Sequence, residues 1–162
     1  MSTTMTIETP RLQLVLESTE ATLAKINALS AEERAMVSPA WLERVRSSPM
    51  ASPWTHSFTM IERESGTAVG TCEFKGPPDD DGRVEIAYAV EPAFQGRGYA
   101  KESARALTMY ARDVHDVRTV CAHTAPCEGP STSVLRASGF EYIGDVVDPE
   151  DGLVWRWEYV PT

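Results

Sequence analysis

No apolar run in the chain approaches the length needed to cross a bilayer. The first residues, Met1 to Thr6, are polar and lack the apolar core of a secretory signal. Cysteine is scarce. Cys72, Cys121 and Cys127 are odd in number and form no Cys-x-x-Cys pair, so the expectation is free thiols in a reducing cytoplasm, not a disulfide framework. The three histidines, His56, His115 and His123, make no pair at helical spacing, and no metal site is expected. Positive charge is also short. Fifteen bases face twenty-four acids, for a net charge of −9, which argues against nucleic acid or an anionic membrane as partner. That excess suits a cationic substrate and equally suits plain solubility. No internal repeat, low-complexity tract or second domain appears. The expectation over residues 1–162 is a single domain, monomer or homodimer, large enough for a real core.

What the chain does contain is a strand, a glycine turn and a helix between Val84 and Ala111. Val84 to Val90 is mostly β-branched or apolar, with Glu85 the one charge inside, and Pro92 ends it. Gln95-Gly96-Arg97-Gly98-Tyr99-Ala100 turns the chain. Ala100, Ala104, Leu107, Ala111 and Val114 then recur at helical spacing, so one stripe faces a core. Two glycines allow positive φ and a close approach to a ligand. The first amides of a helix lack internal partners, and the helix dipole adds to their attraction for an anion. Gly-x-Gly reads equally as a plain turn. No Walker pattern matches, and the dinucleotide fingerprint wants a third glycine where Lys101 stands, with His115 and Asp116 the residues near its acidic position.

Taken in order, Arg11 to Leu16 alternates as a first strand with Leu12, Leu14 and Leu16 on one face. Ser18 or Thr19 caps a helix carrying Leu23, Ile26 and Leu29. Ser30-Ala31-Glu32-Glu33 is a capping box, and Ser38-Pro39 opens a helix before Trp41, Leu42 and Val45. Ser47 to Pro53 reads as a mobile connector, His56 to Arg63 and Ala68 to Lys75 as strands, and Gly76 to Gly82 as a solvated turn. Thr119 to His123 is a further strand, Ser131 to Ser138 a short helix closed by Gly139, and Glu141 to Val147 with Leu153 to Val160 a final hairpin. The predicted order is β-α-α-β-β-β-α-β-α-β-β.

Gln95-x-x-Gly98-x-Ala100, after a strand ending in Val-x-Pro and before a helix, resembles the acetyl-CoA loop of the GNAT acyltransferases. Glu85-Ile-Ala-Tyr-Ala-Val-Glu-Pro with Gly98-Tyr99-Ala100-Lys101-Glu102-Ser103 is similar to the branch that acetylates ribosomal-protein N-termini. Thr9-Pro10-Arg11-Leu12 resembles that branch's opening strand, and Ser131 to Phe140 its late helix. The resemblance implies an α/β (α+β) fold: a mixed, mostly antiparallel sheet of six to seven strands flanked by helices, its central strands splayed to admit pantetheine. It implies acetyl-CoA as cosubstrate and a primary amine as acceptor, with transfer direct. Gln95, Gly96, Arg97, Gly98, Tyr99, Ala100 and Lys101 would hold the diphosphate, and Ala89 and Val90 would pair with pantetheine, the Val90 amide also serving as oxyanion donor. On this reading Gly98→Val abolishes binding, because a branched Cβ would block the diphosphate.

Amine acylation requires loss of an amine proton, a donor for the oxyanion and a proton for the departing thiolate. An α-amine near pKa 8 costs about 1.4 kcal/mol to deprotonate at pH 7, against about 4.6 kcal/mol for a lysine amine. Glu85 aligns with a family glutamate and is the candidate base; it also reads as a surface residue or a partner for Arg83. Ser131 is the candidate at the sulfur end, and also reads as a helix cap. Trp41 and Trp54 fall where relatives build the acceptor wall, and also read as packing. Two departures stand out: Glu128 occupies a position the family often gives to asparagine, and Leu135 the place of a tyrosine acid. Both favour an alternative, a non-catalytic acyl-CoA-binding sensor or interaction module of the same fold. A nucleotide-binding domain is a third reading.

Overall fold

Alternating and helical hydrophobic patterns resolve into eight strands and five helices in the computed structural model, which describes residues 5–114 and 116–161. Met1 to Thr4 of the polar amino-terminal stretch, and His115, lie outside the described residues. The strands are β1 (Thr6–Glu8), β2 (Leu12–Leu16), β3 (Phe58–Glu62), β4 (Ala68–Phe74), β5 (Arg83–Val90), β6 (Thr119–Thr124), β7 (Phe140–Asp148) and β8 (Gly152–Tyr159). The helices are α1 (Thr19–Asn27), α2 (Ala31–Ala35), α3 (Pro39–Arg46), α4 (Tyr99–Arg112) and α5 (Pro130–Ala137). One sheet runs β1-β2-β3-β4-β5-β6-β8-β7, antiparallel at every junction except β5–β6. The mostly antiparallel α/β (α+β) sheet is as expected, with one more strand than six or seven. The addition is β1, whose three residues pair with Gln13 to Val15 and are too short for alternation to reveal. Three helices precede β3 where the predicted order has two; α2 is a five-residue turn held by the Ser30–Glu33 capping box.

Strands β2 to β6 each turn one face to the core. Leu12, Leu14, Phe58, Met60, Phe74, Val84 and Ile86 are all buried under α4, which contributes Ala104, Leu107 and Ala111. Burying each large side chain contributes about 1.5–3 kcal/mol. The α4 stripe follows the predicted spacing, with Tyr99, Ser103 and Thr108 buried as well. Trp157 and Leu135 extend this core beneath α5. The other face of the central strands is polar: Thr59, Glu73, Glu85 and His123 alternate with the core residues. Helix α3 and the Met36–Ser38 turn before it stand over it beside Glu73.

The Ser47 to Pro53 connector is fastened through a buried histidine. The Ser52 amide donates to His56 Nδ1 at 3.0 Å, His56 Nε2 meets the Thr19 hydroxyl at 2.8 Å, and that hydroxyl donates to the Ser48 carbonyl at 2.9 Å. This chain requires a neutral ring with its proton on Nε2. Burial holds the His56 pKa below the ordinary 6.5. The unfolded chain therefore takes up a proton that the native state refuses, and stability falls as pH drops below about 6.5. Melting temperature is expected to fall by a few degrees between pH 7.5 and 5.5 through this group, and His56→Gln should flatten that part of the slope in calorimetric scans.

Candidate active site

The splay lies where the parallel pairing stops. β5 and β6 pair at Arg83–Thr119, Val84–Val120 and Glu85–Cys121, and nowhere beyond. From Ile86 onward β5 keeps only its β4 neighbour among the described residues. The Lys75 amide donates to the Glu85 carbonyl at 2.9 Å and the Glu91 amide to the Val69 carbonyl at 2.8 Å, so odd-numbered residues of β5 turn their backbone groups to β4. Tyr88 and Val90 consequently present theirs to the gap. Ala89, expected to pair with pantetheine alongside Val90, hydrogen-bonds on the Thr71 side instead and only lines the opening. Gln95 latches the loop to the strand, its Nε2 donating to the Val90 carbonyl at 2.9 Å.

Beyond Pro92–Phe94, Gly96 and Gly98 adopt left-handed φ of 78° and 86°, and Gly98 is the N-cap of α4 without any side-chain cap. Among the described residues no protein atom accepts from the amides of Gly96 through Lys101. Beside them opens a cleft of about 380 Å³, lined by Ala89, Val90, Gln95, Gly96, Tyr99 and Ala100 from the predicted set, and by Ser131. Gly98 and Lys101 face a separate groove between β1 and α4, and the Arg97 guanidinium lies over the Phe94 ring. These three do not line the cleft.

The loop is held from behind by the Thr9-Pro10-Arg11 segment. Arg11 Nη1 donates to the Arg97 carbonyl at 2.8 Å, its Nε to Glu102 Oε1 at 2.9 Å, and its amide to Glu102 Oε2 at 2.8 Å. Thr9 donates its hydroxyl to the same carboxylate, and the guanidinium stacks 4.8 Å from the Tyr99 ring centroid.

On the far side of the cleft stands α5. Its N-cap is Gly129, closed by Thr132, whose hydroxyl accepts from the Gly129 amide at 3.0 Å; Ser131 is therefore not the cap. Ser131 is exposed at the cleft, and its carbonyl accepts the Tyr88 hydroxyl at 3.2 Å. Burial pushes the Tyr88 phenol well above its ordinary pKa, so it stays protonated as a donor. Glu128 is bound by Arg136 at 2.6 and 2.7 Å and by the Thr132 hydroxyl at 2.9 Å. Those bonds, the Arg136 one foremost, hold its carboxyl down at about 2, and its charge is compensated locally. Leu135 is wholly buried in the core.

Glu85 opens onto the opposite, polar face. Its Oε2 lies 3.1 Å from His123 Nδ1 and 3.5 Å from Lys75 Nζ. Next to this group a cavity of about 640 Å³ is lined by Trp41, Glu73 and Lys75. Trp41 is fixed there by its Nε1, which donates to the Thr55 carbonyl at 2.7 Å. Burial raises the Glu73 carboxyl above its ordinary range. Trp54 is elsewhere: it packs 4.8 Å from Phe74 and 6.1 Å from Tyr110 in the core layer, apart from Glu85. Sequence reasoning missed Tyr88 and His123. Tyr88 stood inside the Glu85-Ile-Ala-Tyr phrase; His123 becomes visible only once the β5–β6 register is known. The arrangement offers an anion cradle on one side of the sheet and a carboxylate with basic neighbours on the other, joined through the gap.

Comparison with known proteins agrees with this geometry. Residues 12–141 match the Acetyltransferase (GNAT) domain family. Two curated relatives are the uncharacterized N-acetyltransferases p20 of Bacillus licheniformis, 29% identical over 57% of this chain, and YjdG of Bacillus subtilis (strain 168), 26% identical over 64%. The matched stretches span 52% and 59% of those relatives' own lengths. Among solved structures, RimL, a ribosomal L7/L12 alpha-N-protein acetyltransferase in complex with coenzyme A, superposes with a TM-score of 0.71 at 17% identity, covering 96% of this chain and 98% of that one. A spermidine N-acetyltransferase SpeG chimera from Vibrio cholerae and hSSAT gives 0.68 at 16% identity, covering 93% and 95%. At such identities the likeness is one of fold. The family match over most of the chain decides membership: this protein belongs to the GNAT acetyltransferase family.

Proposed function

We propose that the protein transfers an acetyl group from acetyl-CoA directly to a primary amine. The observation that carries this reading is the row of unaccepted amides from Gly96 to Lys101 beside the β5–β6 gap, with Glu85 across it. Four or five charge-assisted hydrogen bonds from those amides, each about 1.5–3 kcal/mol, suffice to hold a diphosphate after the cost of association. The thioester then enters the gap from the α4–α5 side. The Val90 amide, directed into the gap, is the oxyanion donor. Ser131 and the protonated Tyr88 phenol line the cleft at the sulfur end. The amine approaches from the opposite face, past Trp41 and Glu73, and its proton leaves on that face, where Glu85 and His123 stand together. Both a protein N-terminus, as for RimL, and a polyamine, as for the SpeG chimera, suit this outline. An α-amine asks less of the site, about 1.4 kcal/mol against about 4.6 kcal/mol for a lysine-like amine. Local neutralisation of Glu128 by Arg136 removes one of the features that favoured a non-catalytic module.

A thiol-release assay over a panel of amines tests the proposal. The unaltered chain is expected to turn over at least one amine. Glu85→Gln should lower kcat about a hundredfold or more while calorimetric affinity for coenzyme A stays the same. Binding without turnover on every amine would establish the sensor reading instead.

A further inference from the structure

His123 stands on β6 two residues beyond Cys121, the last residue there to pair with β5. Alternation puts it on the face of Cys121 and Glu85, since Ala122 between them is buried in the core. Its Nδ1 is shielded from solvent and makes no hydrogen bond among the described residues. Glu85 Oε2, at 3.1 Å, is within ion-pair range but off the donor direction of the ring. Nε2 has no protein partner among the described residues and is not among the buried, unpartnered atoms. The other charged groups around the ring are Lys75 on β4, which shares the Glu85 oxygen, Arg156 opposite it on β8, tied to Glu158 at 2.9 Å, and Asp148 on β7.

We propose that His123 accepts the amine proton at Nε2, and that Glu85 is a positioning residue that keeps the ring's own proton on Nδ1. This rests on the transfer reaction proposed above. Two observations and one chemical match support it. Glu85 occupies the last paired position, at the closed end of the gap, whereas His123 lies in the part where the strands have separated, so an entering amine meets the imidazole first. Glu85 Oε2 is already engaged on two sides, by Lys75 Nζ at 3.5 Å and the ring at 3.1 Å, so an amine would have to displace one of them to reach it. An imidazole, near pKa 6.5 in peptides, is also better matched to an α-amine near 8 than a carboxylate near 4.3. The negative charge of a carboxylate 3.1 Å from Nδ1 favours the proton on that nitrogen and leaves the lone pair on Nε2.

In the step itself, the lone pair of the neutral amine forms the N–C bond. The C–S bond breaks with its electron pair on sulfur, and the nitrogen's proton moves to Nε2. The ring then gives that proton to solvent and the thiolate takes one from water, so amine and thioester become amide and thiol.

The test compares the unaltered chain with His123→Gln and Glu85→Gln, using spermidine and alanine- and serine-initiated peptides as acceptors. Nitrogen-15 spectra of the ring should show the neutral Nδ1–H form in the unaltered chain and a shift toward Nε2–H in Glu85→Gln. His123→Gln should lose about a hundredfold or more in kcat and the acidic limb of the kcat/KM profile, with coenzyme A affinity and melting temperature retained. A His123→Gln variant with the native rate and pH profile overturns the assignment and leaves the transfer reaction standing. A ring in the Nε2–H form in the unaltered chain overturns it as well. Absence of turnover of every acceptor by a chain that binds coenzyme A overturns the transfer reaction and this role with it.

Discussion

Gly98→Val is expected to lower coenzyme A affinity at least a hundredfold while leaving the sheet intact. Gly98 holds φ at 86°, a left-handed conformation that costs an L-residue about 1–2 kcal/mol and a β-branched one more. A Cβ there would also sit 3.0 Å from Arg11 Nη2, pressing on the guanidinium that holds the Arg97 carbonyl. This adds a second reason to the one the sequence suggests. The added Cβ meets Arg11, so the turn itself has to shift, and the amides with it. Losing two charge-assisted hydrogen bonds, at about 1.5–3 kcal/mol each, corresponds to a hundredfold or more. Gly96→Ala is the informative companion, because its Cβ would meet nothing within 4 Å and only the φ of 78° opposes it. Calorimetric titration should therefore order the affinities native, Gly96→Ala, Gly98→Val. An unchanged affinity in Gly98→Val would remove the loop from the site.

The parts of this site that could be read in advance are those written in consecutive residues. Gln95, the two glycines and the apolar stripe of α4 announce a turn and a buried helix because both signals are local. The Glu85 position follows from strand alternation combined with the family phrase. What alternation cannot supply is register. The same two-residue period that placed Glu85 left open which backbone groups of β5 face the gap, and the answer came only from the Lys75–Glu85 and Val69–Glu91 bonds. The partnership of His123 with Glu85 likewise depends on where parallel pairing ends. The two tryptophans separate for the same kind of reason. Trp41 is held at a cavity by its indole N–H, whereas Trp54 is absorbed by Phe74 and Tyr110, residues twenty and fifty-six positions away in sequence. The concern about Glu128 disappears with its bond to Arg136, eight residues on.

Arg11→Ala should weaken coenzyme A binding about tenfold or more, although Arg11 acts from behind the loop. Three ties would go together: the bond to the Arg97 carbonyl, the ion pair with Glu102 and the stack on Tyr99. The Glu102 side chain is only 13% exposed, so removing its partner leaves a partly desolvated carboxylate supported by Thr9 and the Arg11 amide alone. Burial pushes the Glu102 carboxyl up, and the bonds from Thr9 and Arg11 more than offset that, leaving it below its ordinary 4.5. A depressed carboxyl contributes stability above the unfolded value and loses it as pH falls through the folded one. Loop anchoring should accordingly hold at neutral pH and fail only in acid, below about 4.5. A double-mutant cycle with Glu102→Gln separates the ion pair from the Arg97 bond. If the two side chains act as one clasp, Arg11→Ala in the Glu102→Gln background will cost markedly less affinity than in the native one. Equal costs in both backgrounds would mean that Arg11 steadies the amide row through the Arg97 carbonyl alone.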